Sequence, residues 1–201
     1  MKLYYKAGAC SLASHIVLEE TGLPYETEAV DLKTKVTASG ADFTQINAKG
    51  YVPALVLDTG ELLTEGPAIL QYLADRVPEK KLVPADGTLE RYRLQSWLTF
   101  IGTELHRSCT PFFSPASGDA WKAAAMANLE RRLDYTNGEL AGKAYLLGDG
   151  FSVADAYLFT VLSWMPYVKL DLSRWSNLTA FQARVAARPA VQAALKAEGL
   201  A

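Results

Sequence analysis

A mixed α/β domain followed by an all-helical one is the fold class that this 201-residue sequence predicts. Three observations carry that prediction. Strand and helix periods alternate as far as about Val77. Residues 78–87, with two prolines, several charges and little apolar periodicity, read as a linker. Beyond them the strand signals vanish. The expected boundaries are therefore residues 1–77, 78–87 and 88–201.

In the first domain, residues 3–5 form a short strand. Residues 11–20 have helical spacing, with Leu12, Ile16 and Val17 on one face and Gly22 and Pro24 as the stop. Residues 25–31 form a second strand, which after a helix lies parallel to the first. Residues 33–47 are polar and weakly patterned and read as loop with a short helix. Residues 54–57 and 61–63, joined through Asp58-Thr59-Gly60, form a hairpin, and a helix from Gly66 to about Val77 closes the unit. The order is βαβ followed by ββα.

In the second domain, residues 89 to about 109 place Leu94, Trp97, Leu98, Ile101 and Leu105 in one helical stripe. Residues 121–140 repeat the pattern with Leu129, Leu133 and Leu140. Ser152-Val153-Ala154-Asp155 reads as a capping box, Ser152 at the N-cap and Asp155 three residues on. It opens a helix so apolar, through about Met165, that it belongs at the centre of its bundle. Residues 175–187 and 189–198 supply the last two helices, the second with proline in its first turn.

An apolar fraction of 50% is enough for real cores, while a formal net charge of -2 and no Lys/Arg block argue against nucleic acid as a partner. No apolar run approaches membrane-spanning length, and the chain starts directly as a strand, so a cytoplasmic setting is expected. The two cysteines, Cys10 and Cys109, form no Cys-x-x-Cys pair, which disfavours dithiol exchange and a zinc cage; no metal is expected. Chemistry through a single thiol stays open.

The most informative stretch is Tyr51-Val52-Pro53-Ala54-Leu55 with Thr64-Glu65-Gly66-Pro67-Ala68-Ile69 after it. Pro53 cannot donate a ladder hydrogen bond and so sits at a strand start or edge. If its peptide bond is cis, the main chain of Val52 turns outward, where an extended peptide can pair with it. Free amides in the first turn of the helix from Gly66 can hold a carboxylate, and Glu65 beside them can pair with an ammonium. A ligand with a free amino-acid head and an extended backbone satisfies all of these. Cys10 falls between the first strand and first helix, a position that favours thiolate. Cys109, at a helix end, reads as packing. His106 gains a role if its helix faces that cysteine, whereas His15 reads simply as part of the first helix. Lys35 lies on an irregular loop, where it can meet a ligand carboxylate.

Taken in order, these residues resemble the cytosolic glutathione transferases, and among them the bacterial beta class, over essentially the whole chain. The likeness rests on Met1-Lys2-Leu3-Tyr4-Tyr5 with Gly8-Ala9-Cys10-Ser11-Leu12, on Gly50-Tyr51-Val52-Pro53-Ala54-Leu55, and on the run from Leu63 to Asp75. Further on it rests on Thr103-Glu104-Leu105-His106, on Phe151-Ser152-Val153-Ala154-Asp155-Ala156-Tyr157, and on Arg188-Pro189 with Ala197-Glu198-Gly199-Leu200. It implies a thioredoxin-like first domain with a cis Val52-Pro53 bond, a helical second domain and a homodimer. It also implies glutathione as co-substrate: the cysteinyl backbone on Val52, the γ-glutamyl group at Glu65 and Gly66, the glycyl end near Lys35, and the sulfur beside Cys10 and His106. Thr103 and Glu104 belong to the same implied set. Thr99 stands where the facing subunit often supplies asparagine, Ala7 where proline is common, and Arg107 where lysine is frequent. A hydrophobic electrophile is implied between the domains, near Pro111, Phe112 and Phe113, with Tyr5 a secondary candidate.

Three activities fit this reading. The first is conjugation of glutathione to hydrophobic electrophiles, with Cys10 and His106 catalytic. The second is glutathione-dependent thiol-disulfide exchange or reductive dehalogenation through Cys10. The third is a binding module without catalysis, which the retention of Cys10, Pro53, Glu65 and His106 argues against.

Overall fold

Leu3 and Tyr4 are buried in strand β1 (Lys2–Tyr5), and the strands that cover them on both sides set the frame of the first unit. In the computed structural model, which describes residues 1–201, β1 pairs in parallel with β2 (Glu26–Asp31) after helix α1 (Ser11–Thr21). On its other side β1 pairs antiparallel with β4 (Ala54–Val56). The two-residue β3 (Val36–Thr37) and β5 (Leu62–Thr64) close the edges, giving the order β3-β2-β1-β4-β5. This is the mixed, thioredoxin-like sheet that the sequence predicts. Only β3 escaped the reading, because two residues carry no alternation to detect. The short helix expected in that stretch is α2 (Phe43–Ile46), capped by Asp42 through Thr44 N at 2.8 Å. Phe43 then fills a small core with Tyr4, Val30, Val52 and Ala54. Helix α3 (Gly66–Asp75) buries Ile69, Leu70, Leu73 and Ala74 and packs against α1.

The C-terminus departs from the expected boundaries. Contacts divide the chain after Lys81, inside the expected linker, but return Ala187–Ala201 to the first unit, so the helical unit is Leu82–Ala186. Helix α10 (Pro189–Ala197) packs on α1. Polar ties explain the choice. Arg188 donates from Nε and Nη2 to the two carboxylate oxygens of Glu20, at 2.6 and 3.0 Å. Glu198 accepts from the Gly8 amide at 2.9 Å and meets His15 Nδ1 at the same distance. His15, which the sequence offered only as a helix residue, is thus the buried partner of a carboxylate near the C-terminus. Periodicity reports that a segment is helical; it does not report which layer the helix joins.

The second unit contains α4 (Leu89–Phe100), α5 (Arg107–Phe113), α6 (Asp119–Glu139), α7 (Val153–Leu162), α8 (Met165–Val168) and α9 (Ser176–Ala186). Leu94, Leu98, Ile101 and Leu105 are buried as the stripe requires. The single helix expected over 89–109 is interrupted, however, by a π-helical stretch at Ile101–His106. Such widened turns are enriched at functional positions. No helix in the chain is long and apolar enough to cross a membrane.

Every residue of α7 is buried. Its first turn can therefore draw on no solvent, and Asp155 serves it from inside. Oδ2 accepts from Ser152 N at 2.8 Å and Ser152 Oγ at 2.7 Å, while Oδ1 accepts from Leu146 N at 2.9 Å. The expected capping box is present, and it also pins the chain ahead of the helix. Asp155→Ala strips three buried donors of their acceptor and is expected to lower unfolding stability by about 3 kcal/mol or more. Urea unfolding monitored by circular dichroism checks this, and a loss under about 1 kcal/mol contradicts the buried-cap account.

Candidate functional site

The Val52-Pro53 bond is cis, as the resemblance implies. Val52 precedes β4, its amide has no partner within the chain, and its carbonyl accepts from Cys10 Sγ at 3.2 Å. Gly66 approaches the same proline, since a Cβ placed on it meets Pro53 Cγ at 4.0 Å. Between them Glu65 takes φ 71° and ψ 114°, a backbone region that L residues rarely adopt. The first turn of α3 offers less than expected. Pro67 has no N–H, and the amides of Ala68 and Ile69 both donate to the Glu65 carbonyl at 3.0 Å. That leaves the amides of Glu65 and Gly66 without a partner in the chain. Cys10, Val52, Pro53, Glu65 and Gly66 are thus brought together on the first unit.

The Glu65 side chain has partners that the sequence reading did not single out. Its Oε1 accepts from Lys49 Nζ at 2.5 Å and from Tyr51 Oη at 2.8 Å. Those two bonds, Lys49's first, hold the carboxyl below its usual range. No local signal marked them, because Lys49 lies in a turn that closes from the Gly50 amide onto the Asn47 carbonyl and Gly50 takes φ 67°, so strand alternation does not apply. Lys35, at φ 60°, donates from Nζ to the carbonyl of Gly50, the residue between Lys49 and Tyr51, at 2.6 Å.

Cys10 requires a correction. Its position just before α1 predicts a thiolate, yet burial pushes the thiol up to about 11. The backbone amides of Cys10 and Ser11 pull the other way and lose, and the Glu65 carboxylate adds a further push upward. Desolvation outweighs the helix terminus here, so the resting group is a neutral thiol donating to a carbonyl. Tyr5 is half-buried, its ring 5.8 Å from that of His15.

On the second unit, His106 ends the π-helical stretch with Nδ1 2.7 Å from Tyr157 Oη. Its ring meets Trp164 edge-on at 4.8 Å, and Phe113 meets Trp164 at 5.7 Å. Burial, helped by Arg107, lowers His106 to about 4, so at neutral pH the imidazole is uncharged, with one nitrogen protonated and the other basic. Gly102 lies against this pair, a Cβ placed on it coming into ordinary contact with Tyr157 Oη at 3.5 Å. Tyr157 and Trp164 were not among the expected site residues.

The other expected positions on this unit are engaged locally. Thr99 and Thr103 are exposed and turn their hydroxyls onto the carbonyls of Gln95 and Thr99, at 2.9 and 3.0 Å. Glu104 takes Arg132 Nε of α6 at 2.7 Å. Pro111 is buried, Phe112 half-buried and Phe113 exposed. Cys109 is buried and pushed up to about 12, which fits packing. A hollow of about 470 Å³ that includes Trp97, Phe100 and Tyr135 in its lining contains none of the expected residues.

Comparison with known proteins gives concordant results. Residues 7–76 match the family model of the glutathione S-transferase N-terminal domain, and residues 100–189 match that of the C-terminal domain. The chain is 50% identical over 200 residues to the glutathione S-transferase GstA of Escherichia coli O157:H7, with 100% of each covered. Among solved structures it is similar to a ternary complex of BphK, a bacterial GST, at 58% identity and a TM-score of 0.98, with 100% of each chain covered. It is also similar to a sphingomonad glutathione S-transferase complexed with glutathione, at 51% identity, a TM-score of 0.96 and 100% of each chain.

The electrostatics of Cys10 give a direct test. In the ligand-free protein, thiolate ultraviolet absorbance that is lost in Cys10→Ser is expected to be absent at neutral pH and to develop only toward about pH 11. A midpoint at or below the ordinary cysteine value of about 8.5 shows that the helix terminus wins after all.

Proposed function

The chain belongs to the glutathione S-transferase family, and on that premise we propose that it binds glutathione along the Val52-Pro53 edge and joins its sulfur to hydrophobic electrophiles. The observation that carries this reading is the set of three unpartnered amides, those of Val52, Glu65 and Gly66, gathered around Pro53 beside the Cys10 sulfur. An extended tripeptide answers each of them. Its cysteinyl residue pairs with the main chain of Val52, whose carbonyl has a second lone pair beyond the one Cys10 uses. Its γ-glutamyl carboxylate takes the amides of Glu65 and Gly66, and its ammonium takes the Glu65 carboxylate. Lys35, lifted from Gly50, takes the glycyl carboxylate.

Catalysis then consists of stabilising the glutathione thiolate and holding it for attack. The sulfur forms a bond to the electrophilic carbon, the leaving group departs with its electron pair, and the thiol proton passes to solvent. In this reading Cys10 donates its S–H to the thiolate in place of the Val52 carbonyl. His106 remains neutral, able to accept or donate a proton. It packs on the buried rings of Tyr157 and Trp164, and Trp164 in turn carries the exposed Phe113, the ring here that a hydrophobic substrate can reach. A homodimer in which Thr99 serves the partner's glutathione, with Thr103 and Glu104 nearby, and a cytoplasmic setting complete the reading on family likeness.

The competing reading gives Cys10 a covalent role in glutathione-dependent disulfide reduction. A thiol with a pKa of about 11 is ionised in roughly one molecule in ten thousand at neutral pH, which disfavours it as the attacking group. Cys10→Ala is expected to keep conjugation of an aryl halide within about tenfold, a loss of the size that goes with one or two hydrogen bonds, while abolishing reduction of a glutathione mixed disulfide. Conjugation that falls as far as reduction favours the covalent role. Failure of the unsubstituted protein to be retained on immobilised glutathione removes the whole reading.

A further inference from the structure

We infer that Tyr51, together with Lys49, is a positioning residue that holds Glu65 ready for the ammonium of the γ-glutamyl group and thereby sets the affinity for glutathione. The inference rests on the glutathione-binding reading above. Both donors converge on a single oxygen, Oε1, with Lys49 Nζ at 2.5 Å and Tyr51 Oη at 2.8 Å, and Oε2 has no partner in the chain. The carboxylate is therefore oriented with one oxygen committed and one on offer.

Glu65 has particular need of such a clamp. Its left-handed backbone at φ 71° lies outside the helix it precedes, so helical rotamer preferences do not direct the side chain. The side chain is also 55% exposed. A long carboxylate in that setting loses several rotamers when a ligand fixes it, and prior restraint removes much of that entropic cost. The clamp is itself anchored. Lys49 Nζ also donates to Thr64 Oγ1 at 3.0 Å, at the end of β5, and lies 5.9 Å from the centre of the Tyr51 ring.

The two donors differ in kind. Lys49 brings a positive charge that repels an incoming ammonium even as it orients its acceptor. Tyr51 orients without charge, so its removal isolates the positioning effect. Its hydroxyl is exposed, and Tyr51→Phe leaves the fold with nothing buried to lose.

The test is isothermal titration with glutathione and with cysteinylglycine, the thiol that lacks the γ-glutamyl group, alongside steady-state kinetics. Tyr51→Phe is expected to raise Kd and KM for glutathione about fivefold, the range of one hydrogen bond. It should leave kcat at saturating glutathione, KM for the electrophile and the affinity for cysteinylglycine unchanged. In a Glu65→Ala background the same substitution should have no further effect, because Tyr51 acts only through that carboxylate. An unchanged glutathione Kd in Tyr51→Phe overturns the inference. So does an equal loss for cysteinylglycine, or a full fivefold loss when Glu65 is already absent. If the unsubstituted protein binds no glutathione, the underlying function fails first, and that outcome is seen in the first titration.

Discussion

Backbone amides that find no partner inside a fold must find one outside it. The first unit leaves three of them, on Val52, Glu65 and Gly66, around one proline. Each is left open by a specific residue choice. Pro53 removes the donor that would extend the β4 ladder inward and ends regular pairing just after Val52. Pro67 and the doubly used Glu65 carbonyl tie up the rest of the first turn of α3. What remains is a short, fixed pattern of donors that matches main chain and carboxylate rather than a side chain. The elements behind it serve to hold that pattern still: α3 is buried along one face, and Val52 belongs to the core that Phe43 fills.

How much of this was legible in the sequence depended on how local the cause was. The proline edge, the glycine after Glu65 and the Ser152–Asp155 cap were readable because each is decided by backbone chemistry within a few residues, whereas the cis state of the Val52-Pro53 bond was expected only from the family resemblance. The mixed sheet followed from strand order alone. Membership of α10 in the first unit was not readable, because it depends on Arg188 meeting Glu20 and Glu198 meeting His15 across most of the chain length. The π-helical stretch escaped for a different reason: over six residues its wider turn shifts the apolar stripe too little to disturb a helical pattern. Lys49 and Tyr51 looked like ordinary polar loop residues until the fold put Glu65 in front of them.

Cys10 shows most plainly where local reasoning stops. A helix terminus acts at short range and is visible in the order of residues, whereas desolvation depends on what the tertiary structure packs around the sulfur. At Cys10 the second term is the larger, and the thiol stays protonated. The same balance operates at His106, which is kept uncharged by burial. The charged side chains near the Val52-Pro53 edge, Glu65, Lys49 and Lys35, are already hydrogen-bonded.

That distribution suits the proposed reading, in which glutathione is held as an anion of sulfur. Two thiolates in contact repel strongly where water is scarce, so ionising one keeps its neighbour protonated. Had the helix terminus made Cys10 a resting thiolate, an arriving glutathione would have been driven toward its neutral, unreactive form. On the proposed reading a protonated Cys10 offers a donor where the charge is needed, and its present acceptor, the Val52 carbonyl, belongs to the residue whose amide has no partner in the chain. Under that proposal, docking of the peptide and release of the Cys10 S–H toward the incoming sulfur involve one peptide segment. On the proposed reading, a Cys10 that burial keeps protonated leaves the negative charge to the bound thiol.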